Sequence, residues 1–234
     1  MRPDDRVSIV IPCYNSEQWV GEAVDSALAQ IHRCEVIVID DGSSDRSVDV
    51  LRRYGNRIRW ETGPNRGGCA ARNRGVELAT GSWIQFLDAD DVLLPECVAA
   101  KLRHVSDPHL VPCTRIVPMD GPERQKLPPH WLRASYSLDE MLRDGTPATN
   151  APLHRKEHLL RVGGFRVGLS CAQEFELHLR LAITLGLRFA PLGVDGALSR
   201  ATPGSVSRSA GPRMLANIAE ILLDAHGWLA ARPD

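Results

Sequence analysis

The sequence predicts an α/β fold with a Rossmann-like, mostly parallel central sheet that is flanked by helices. Short runs of mainly β-branched residues at 7–11 and 35–39 alternate with helix-like segments at 17–29 and 45–53, which is the order of βαβ units. Both runs are largely apolar, as expected of strands covered on both faces. Polar loops follow each run, at the sheet edge where such folds bind ligands.

The first strand and helix are bounded by recognisable residues. Pro12 is expected to end the strand at 7–11, and Asn15 or Ser16 to cap the helix at 17–29. The inner face of this helix carries apolar residues at helical spacing. A weak third strand is predicted further on, at 58–60.

The pattern then continues with helix, strand and helix. We predict a helix at 68–79, whose small residues allow close packing, a strand at 82–87 and a helix at 95–104. Six prolines between Asp107 and Arg133 exclude continuous helix there and favour loops or edge strands. The edge strand is expected at 110–117, followed by a turn at 119–121.

Composition excludes several classes of protein. A net charge of −1 gives no bulk attraction to nucleic acid or anionic lipid. The six cysteines form no C-x-x-C pair, which argues for reduced thiols and against a zinc site or a disulfide framework. Without an apolar signal region or a run approaching about 18 apolar residues, the chain is expected to be soluble and cytoplasmic, with no transmembrane segment.

An apolar run over 83–87 ends in three carboxylates, those of Asp88, Asp90 and Asp91. If the strand continues, Asp88 and Asp90 face the same way, because alternate residues share a face. Two hard oxygen ligands suit Mg²⁺ or Mn²⁺, whose remaining ligands are then water and substrate phosphates. The alternative is that Asp90 or Asp91 caps the helix that starts near Pro95.

Five blocks of sequence carry a resemblance to a known family. They are VSIVIPCYN at 7–15, VIDDGSSD at 38–45, NRGGCAARN at 65–73, LDADD at 87–91 and a series between Arg155 and Ser207. In order and spacing they resemble the family 2 glycosyltransferases of GT-A fold, over about residues 7–208. The resemblance implies a hexosyltransferase-type enzyme that transfers a sugar, expected from a UDP-sugar, to an acceptor hydroxyl with inversion.

The resemblance also implies roles for individual donor-site residues. Pro12, Tyr14 and Asp41 would contact the nucleobase, and Arg72 would lie near the base or the diphosphate. Asp88 and Asp90 match the family's D-x-D pair and would bind Mn²⁺ or Mg²⁺, with Asp90 the more direct ligand. Asp91 would be a cap or a supporting group.

A general base must take the proton from the attacking hydroxyl. The family usually places an aspartate for this after an acidic residue. Here the aligned pair is Gln173-Glu174, so Glu174 is the candidate base, and Glu176 is the weaker one because it lies off that face of the helix at 174–185. Thr202 stands where many relatives carry a histidine.

Several further readings stay open. Gly163 and Gly164 would lie under the acceptor site or form only a structural turn, and the histidines at 154, 158 and 178 are expected at the surface or in packing. The segment 205–207 is by resemblance a mobile loop and by composition a flexible linker.

The expected organisation is a GT-A domain over 1–212, with a nucleotide-sugar-binding half at about 1–106 and an acceptor half at about 107–212. A C-terminal helix over 213–234 packs on this domain or forms a homodimer contact. The acceptor is expected to be a small molecule or glycan. The alternatives are a donor-binding protein with impaired catalysis and, less favoured, a nucleotidyltransferase.

Overall fold

The computed structural model describes residues 5–119, 136–202 and 211–230. The main sheet has the order β3-β2-β1-β4-β7, in which the first four strands are parallel and β7 is antiparallel to β4. Its strands are β1 Val7–Cys13, β2 Glu35–Asp40, β3 Arg59–Thr62, β4 Trp83–Phe86 and β7 Leu153–Arg155. The predicted mostly parallel α/β sheet is therefore confirmed.

A second, three-stranded sheet has the order β5-β8-β6, with β6 and β8 parallel. It comprises β5 Val92–Leu93, β6 Leu110–Pro118 and β8 Arg188–Ser199. The helices are α1 Val20–Leu28, α2 Ser47–Arg52, α3 Gly68–Leu78, α4 Cys97–Leu102, α5 Leu138–Asp144, α6 Lys156–Arg161, α7 Gln173–Leu185 and α8 Gly211–Ala230. Within the described ranges, no helix has both the length and the apolar character needed to cross a membrane.

Two predicted boundaries near β1 were wrong. The strand runs through Pro12 to Cys13, because β4 pairs with β1 only as far as Val10 and beyond it β2 is the remaining neighbour. A proline without an N–H is tolerated at such an edge. The helix α1 begins at Val20 without a side-chain cap, because Ser16 donates its hydroxyl to the Tyr14 carbonyl instead.

Two apolar clusters cover the two faces of the main sheet. Ile9 and Ile11 of β1 belong to the cluster under α1, α2 and α4, whereas Val10 belongs to the cluster under α3, α7 and α8. This alternation follows from the two-residue repeat of a strand. The helix α8 packs against α7 and buries Ile221 and Ala225 completely or nearly so.

The close approach of α3 to β1 depends on Gly75. A Cβ at this position would lie 2.2 Å from Cγ1 of Val10. Gly75→Ala is therefore expected to lower the free energy of unfolding by about 1–3 kcal/mol through overpacking. Urea unfolding followed by tryptophan fluorescence measures this change.

The matched control is Gly227→Ala in α8, where an added Cβ would meet nothing within 4 Å. It gains the same helix propensity without the clash, so we expect a gain of up to about 1 kcal/mol. Equal effects of the two substitutions would contradict the packing argument.

The predicted turn at 119–121 lies largely outside the described residues, and the predicted loop at 205–207 entirely so.

Candidate active site

A cavity of about 690 Å³ opens at the carboxyl ends of β1, β2 and β4. This is the size range of small-molecule sites and the expected edge of the sheet. The residues predicted for the site all line this cavity: Pro12, Tyr14, Asp41, Arg72, Asp88, Asp90 and Glu174.

At one part of the cavity, Asp41 is buried and its carboxylate is fixed by the main chain of the loop between β3 and α3. Oδ1 accepts a hydrogen bond from the amide of Arg66 and Oδ2 from that of Gly67, each at 2.8 Å. Tyr14 is 51% exposed, so its ring is available to a ligand. The loop after β1 is tied to the loop after β2, because Asn15 Oδ1 accepts from the amide of Ser44 at 2.8 Å.

Arg72 on α3 connects two parts of the site. Its Nη2 donates to Oδ1 of Asp88 at 2.7 Å and its Nη1 to Oε1 of Gln173 at 2.8 Å. The guanidinium also lies 5.4 Å from the ring centroid of Phe165, a cation–π distance. Arg72 is thus held at the D-x-D pair by a neutral partner on α7.

The D-x-D residues lie in a turn, so the prediction that they share one face of a strand was wrong. The strand β4 ends at Phe86, and the amide of Asp91 donates to the carbonyl of Asp88 at 3.1 Å. The turn still brings Asp88 and Asp90 to the same cavity. Thr202 Oγ1 donates to Asp90 Oδ2 at 2.9 Å, so the residue at the family's histidine position contacts this carboxylate.

The donor set fits a divalent cation. Arg72 occupies one oxygen of Asp88 and Thr202 one oxygen of Asp90, so each carboxylate keeps an oxygen that no other described side chain binds. Burial, with the nearby charge of Asp88, raises the pKa of Asp90, and a cation would relieve this clustering of negative charge. Among the described positions, no group of three or more His, Cys, Asp or Glu side chains is placed to hold a metal. Asp88 and Asp90 would therefore need water or substrate phosphate as further ligands.

Asp91 supports the turn and does not cap a helix. Its carboxylate accepts from Asn150 Nδ2 and, at 2.9 Å, from the amide of Arg200. The helix α4 instead begins at Cys97, with Glu96 at its N-cap and no side-chain capping bond. Burial, together with the charge of Asp88, raises the pKa of Asp91 to about 7. Nothing in the sequence indicated Asn150 as its partner.

Glu174 enters the cavity from the first turn of α7. Ala172, the residue before the helix, has φ 58°, a left-handed conformation that is uncommon for alanine and sets the direction in which the helix starts. Burial raises the pKa of Glu174, which the charge of Arg72 partly offsets. Glu176 does not line the cavity and instead binds Arg180 at 2.6 Å inside the protein.

The two adjacent glycines form a structural turn. A Cβ at Gly164, where φ is +72°, would lie 2.4 Å from Asn73 Oδ1, and Asn73 holds both the amide and the carbonyl of Phe165. Neither glycine lines the cavity. His154 and His178 are buried and packed ring to ring at 5.4 Å, in agreement with the packing interpretation.

Comparison with known proteins gives a family. The model of "Glycosyl transferase family 2" matches residues 8–159. The chondroitin synthase of Pasteurella multocida strain Pm70 is 31% identical over 188 residues, which is 75% of this chain and 19% of that protein. An uncharacterized glycosyltransferase of Haemophilus influenzae is 36% identical over 110 residues, 45% of this chain and 44% of its own length. The chain thus spans less than half the length of these curated relatives.

Solved structures agree on the fold. S. aureus TarS 1-349 in complex with UDP-GlcNAc matches with a TM-score of 0.74 and 19% identity, over 96% of this chain and 70% of that one. The mannosyltransferase PcManGT from Pyrobaculum calidifontis, in complex with GDP-Man and Mn2+, matches with a TM-score of 0.68 and 20% identity, over 100% and 68%. The predicted GT-A fold is confirmed. The family model matches well over half of the residues of this chain, and the chain therefore belongs to glycosyltransferase family 2.

Proposed function

We propose that the chain transfers a sugar from a nucleoside-diphosphate donor to an acceptor hydroxyl, with inversion at the anomeric carbon. One observation carries this proposal. A single cavity is lined by a main-chain-anchored carboxylate at Asp41, the D-x-D turn and a separate, half-buried carboxylate at Glu174. Each of these groups has a task in displacing a diphosphate by a hydroxyl.

The base of the donor is assigned to the loops after β1 and β2. Asp41, whose oxygens can each accept a second hydrogen bond, would bind an N–H of the base, and the exposed ring of Tyr14 would stack on it. Pro12 completes this wall of the cavity. A uracil base is the expected occupant, and the structural neighbours include both a UDP-GlcNAc and a GDP-Man complex.

The diphosphate is assigned to the D-x-D turn. A divalent cation, Mn²⁺ or Mg²⁺, held by Asp88 and Asp90 would stabilise the negative charge that builds on the departing diphosphate. Arg72 keeps Asp88 oriented by its 2.7 Å ion pair and adds positive charge beside the leaving group. Thr202 orients Asp90 in the same way from the segment after β8.

Glu174 is assigned as the general base. Its carboxylate would accept the proton of the acceptor hydroxyl while that oxygen attacks the anomeric carbon from the face opposite the diphosphate. The raised pKa favours this role, because a base with a higher pKa is a stronger proton acceptor. Ala148 and Thr149, which line the same cavity, would contact the acceptor, in keeping with an acceptor half over about 107–212.

Family membership does not favour the two alternatives, a donor-binding protein without turnover and a nucleotidyltransferase. Pyrophosphate release from a nucleoside triphosphate would identify the second of these. A small molecule or the end of a glycan is the proposed acceptor.

Titration calorimetry with UDP and GDP, with and without Mn²⁺, tests the donor site. We expect one nucleotide to bind, and Asp90→Ala to weaken its binding in the presence of Mn²⁺ by about 100-fold or more, because a metal ligand is lost. The control Asp49→Ala removes an exposed carboxylate on α2 that pairs with Arg52, and it should leave binding unchanged. Absence of binding by the unaltered protein to either nucleotide would overturn the proposed function.

A further inference from the structure

Asn150, which itself lines the cavity, binds both ends of the D-x-D turn. Its Oδ1 accepts from the amide of Asp88 at 3.1 Å, and its Nδ2 donates to Oδ2 of Asp91. The side chain is 2% exposed, so neither bond competes with bulk water. The side-chain amide of Asn150 therefore connects the main chain of Asp88 to the buried carboxylate of Asp91, three residues later.

Two fully buried side chains bind the main-chain carbonyl of Asn150. Gln85 of β4 donates through Nε2 to the Asn150 carbonyl at 2.8 Å. Lys101 of α4 donates to Oε1 of Gln85 at 2.5 Å and also lies 3.4 Å from the same carbonyl. Both side chains are 0% exposed. A lysine ammonium is seldom buried without a carboxylate partner. Here its partners are the Gln85 side-chain oxygen and the Asn150 carbonyl, which is an uncommon arrangement.

Arg200 also holds one end of the turn. Its amide donates to Oδ1 of Asp91 at 2.9 Å and its Nε to the carbonyl of Asp90 at 3.2 Å. Within the turn, the described main chain makes one hydrogen bond to itself, from the amide of Asp91 to the carbonyl of Asp88 at 3.1 Å. Asp91 is a buried acidic group, and the loss of a donor to such a group costs free energy unless the side chain moves. Arg200 binds only the Asp90 and Asp91 end of the turn, so without Asn150 the amide of Asp88 loses its partner. The main chain at Asp88 could then shift, and the spacing of the Asp88 and Asp90 carboxylates would change.

We infer that Asn150 is a positioning residue for the metal-binding turn. It sets the main chain of Asp88 and the side chain of Asp91 so that the unoccupied oxygens of Asp88 and Asp90 can bind one cation. Because Thr149 and Asn150 both line the cavity, the same segment also connects the proposed acceptor region to the proposed metal site. This inference rests on the proposed function.

The test measures how strongly Mn²⁺ improves nucleotide binding. Dissociation constants for UDP and GDP are determined by calorimetry with and without Mn²⁺, in the unaltered protein and in Asn150→Ala. We expect the Mn²⁺ enhancement to fall by about 10-fold to 100-fold, the usual effect of removing a residue that orients metal ligands. Metal-free affinity should stay within about twofold, because the hydrogen bonds that fix Asp41 come from Arg66 and Gly67 and do not involve Asn150.

Gln30→Ala is the matched control. Gln30 is also a buried amide with three hydrogen bonds, to the carbonyls of Ser26 and Leu94 and from the amide of Val98, but it does not line the cavity. Its loss should lower the unfolding temperature and leave the Mn²⁺ enhancement unchanged. A purely structural role for Asn150 would give the same result as this control.

The outcomes separate the inference from the proposed function. Nucleotide binding by the unaltered protein together with an undiminished Mn²⁺ enhancement in Asn150→Ala overturns the inference alone. No nucleotide binding by the unaltered protein overturns the proposed function, and the inference falls with it. Asn150→Ser, which keeps a small polar side chain, is measured as well. If thermal unfolding shows that neither variant folds, Asn150 is a structural residue and the inference is overturned.

Discussion

Glu174→Gln is expected to lower kcat by about 10²-fold to 10⁴-fold, because the amide cannot take the proton of the attacking hydroxyl. Donor affinity should stay within about twofold, since the donor contacts are assigned to other residues. UDP release from UDP-sugars in the presence of a panel of sugar acceptors gives kcat, and calorimetry gives the dissociation constant of UDP. Loss of donor binding in parallel with kcat would contradict the role of base.

Glu176→Gln is the matched control on the same helix. Glu176 is 1% exposed and pairs with Arg180, so the same chemical change should lower the free energy of unfolding by about 1–3 kcal/mol without a comparable loss of kcat. The pH profile gives a second check on Glu174. Because the ionised form is active and burial raises its pKa above 4.5, kcat/KM should fall as the pH drops through that raised value.

The parts of the site that sequence could predict are those whose signals are local. The strands of the main sheet are short apolar runs, and the loops that follow them carry Asp41 and the D-x-D pair within a few residues of each strand end. The carboxyl ends of parallel strands meet at one edge, so these loops were expected to converge. Glu174 became the candidate base through the resemblance, and helical spacing then favoured it over Glu176.

The contacts of these residues could not be predicted, because their partners are distant in sequence. The resemblance singled out Gln173 and Thr202 but did not show what they bind. Asn150 lies 62 positions from Asp88, Gln173 lies 101 positions from Arg72, and Thr202 lies 112 positions from Asp90. An isolated amide or hydroxyl is common in any loop, so only the fold reveals its contact. The end of β4 was also mispredicted, because apolar Leu87 extends the strand-like pattern beyond Phe86, where the chain leaves the sheet.

Acid is expected to destabilise the protein through two buried histidines. Burial lowers the pKa of His178 from 6.5 to about 3 and that of His154 well below 6.5, with a further contribution from the charges around His154. Below pH 6.5 the unfolded chain therefore binds protons that the folded chain does not. The contribution of these histidines to the free energy of unfolding is fully present above pH 6.5. It is lost as the pH falls, by about 1 kcal/mol per pH unit for each histidine.

Buried carboxylates act in the opposite direction. The pKa of Asp91 is raised from 3.8 to about 7, so between these values the folded state holds a proton that the unfolded state has released, and stability falls as the pH rises. Asp90 and Glu174, whose pKa values are also raised, add to this effect. The stability of the unaltered protein therefore changes less with pH than the histidines alone would predict. Comparison with a variant that lacks one histidine isolates the histidine effect.

His154→Phe isolates one of these protons. The Nε2 of His154 is buried without a hydrogen-bond partner in the described structure, and its ring packs near Phe86 and Phe189, so phenylalanine suits the position. The free energy of unfolding of the variant minus that of the unaltered protein should be about 1–2 kcal/mol larger at pH 5 than at pH 8. Urea unfolding at both pH values measures this difference, and His226→Gln, at an exposed position on α8, is the control. An unchanged pH dependence in His154→Phe would show that His154 binds its proton equally in the folded and unfolded states, and that the paired rings of His154 and His178 tolerate charge inside the core.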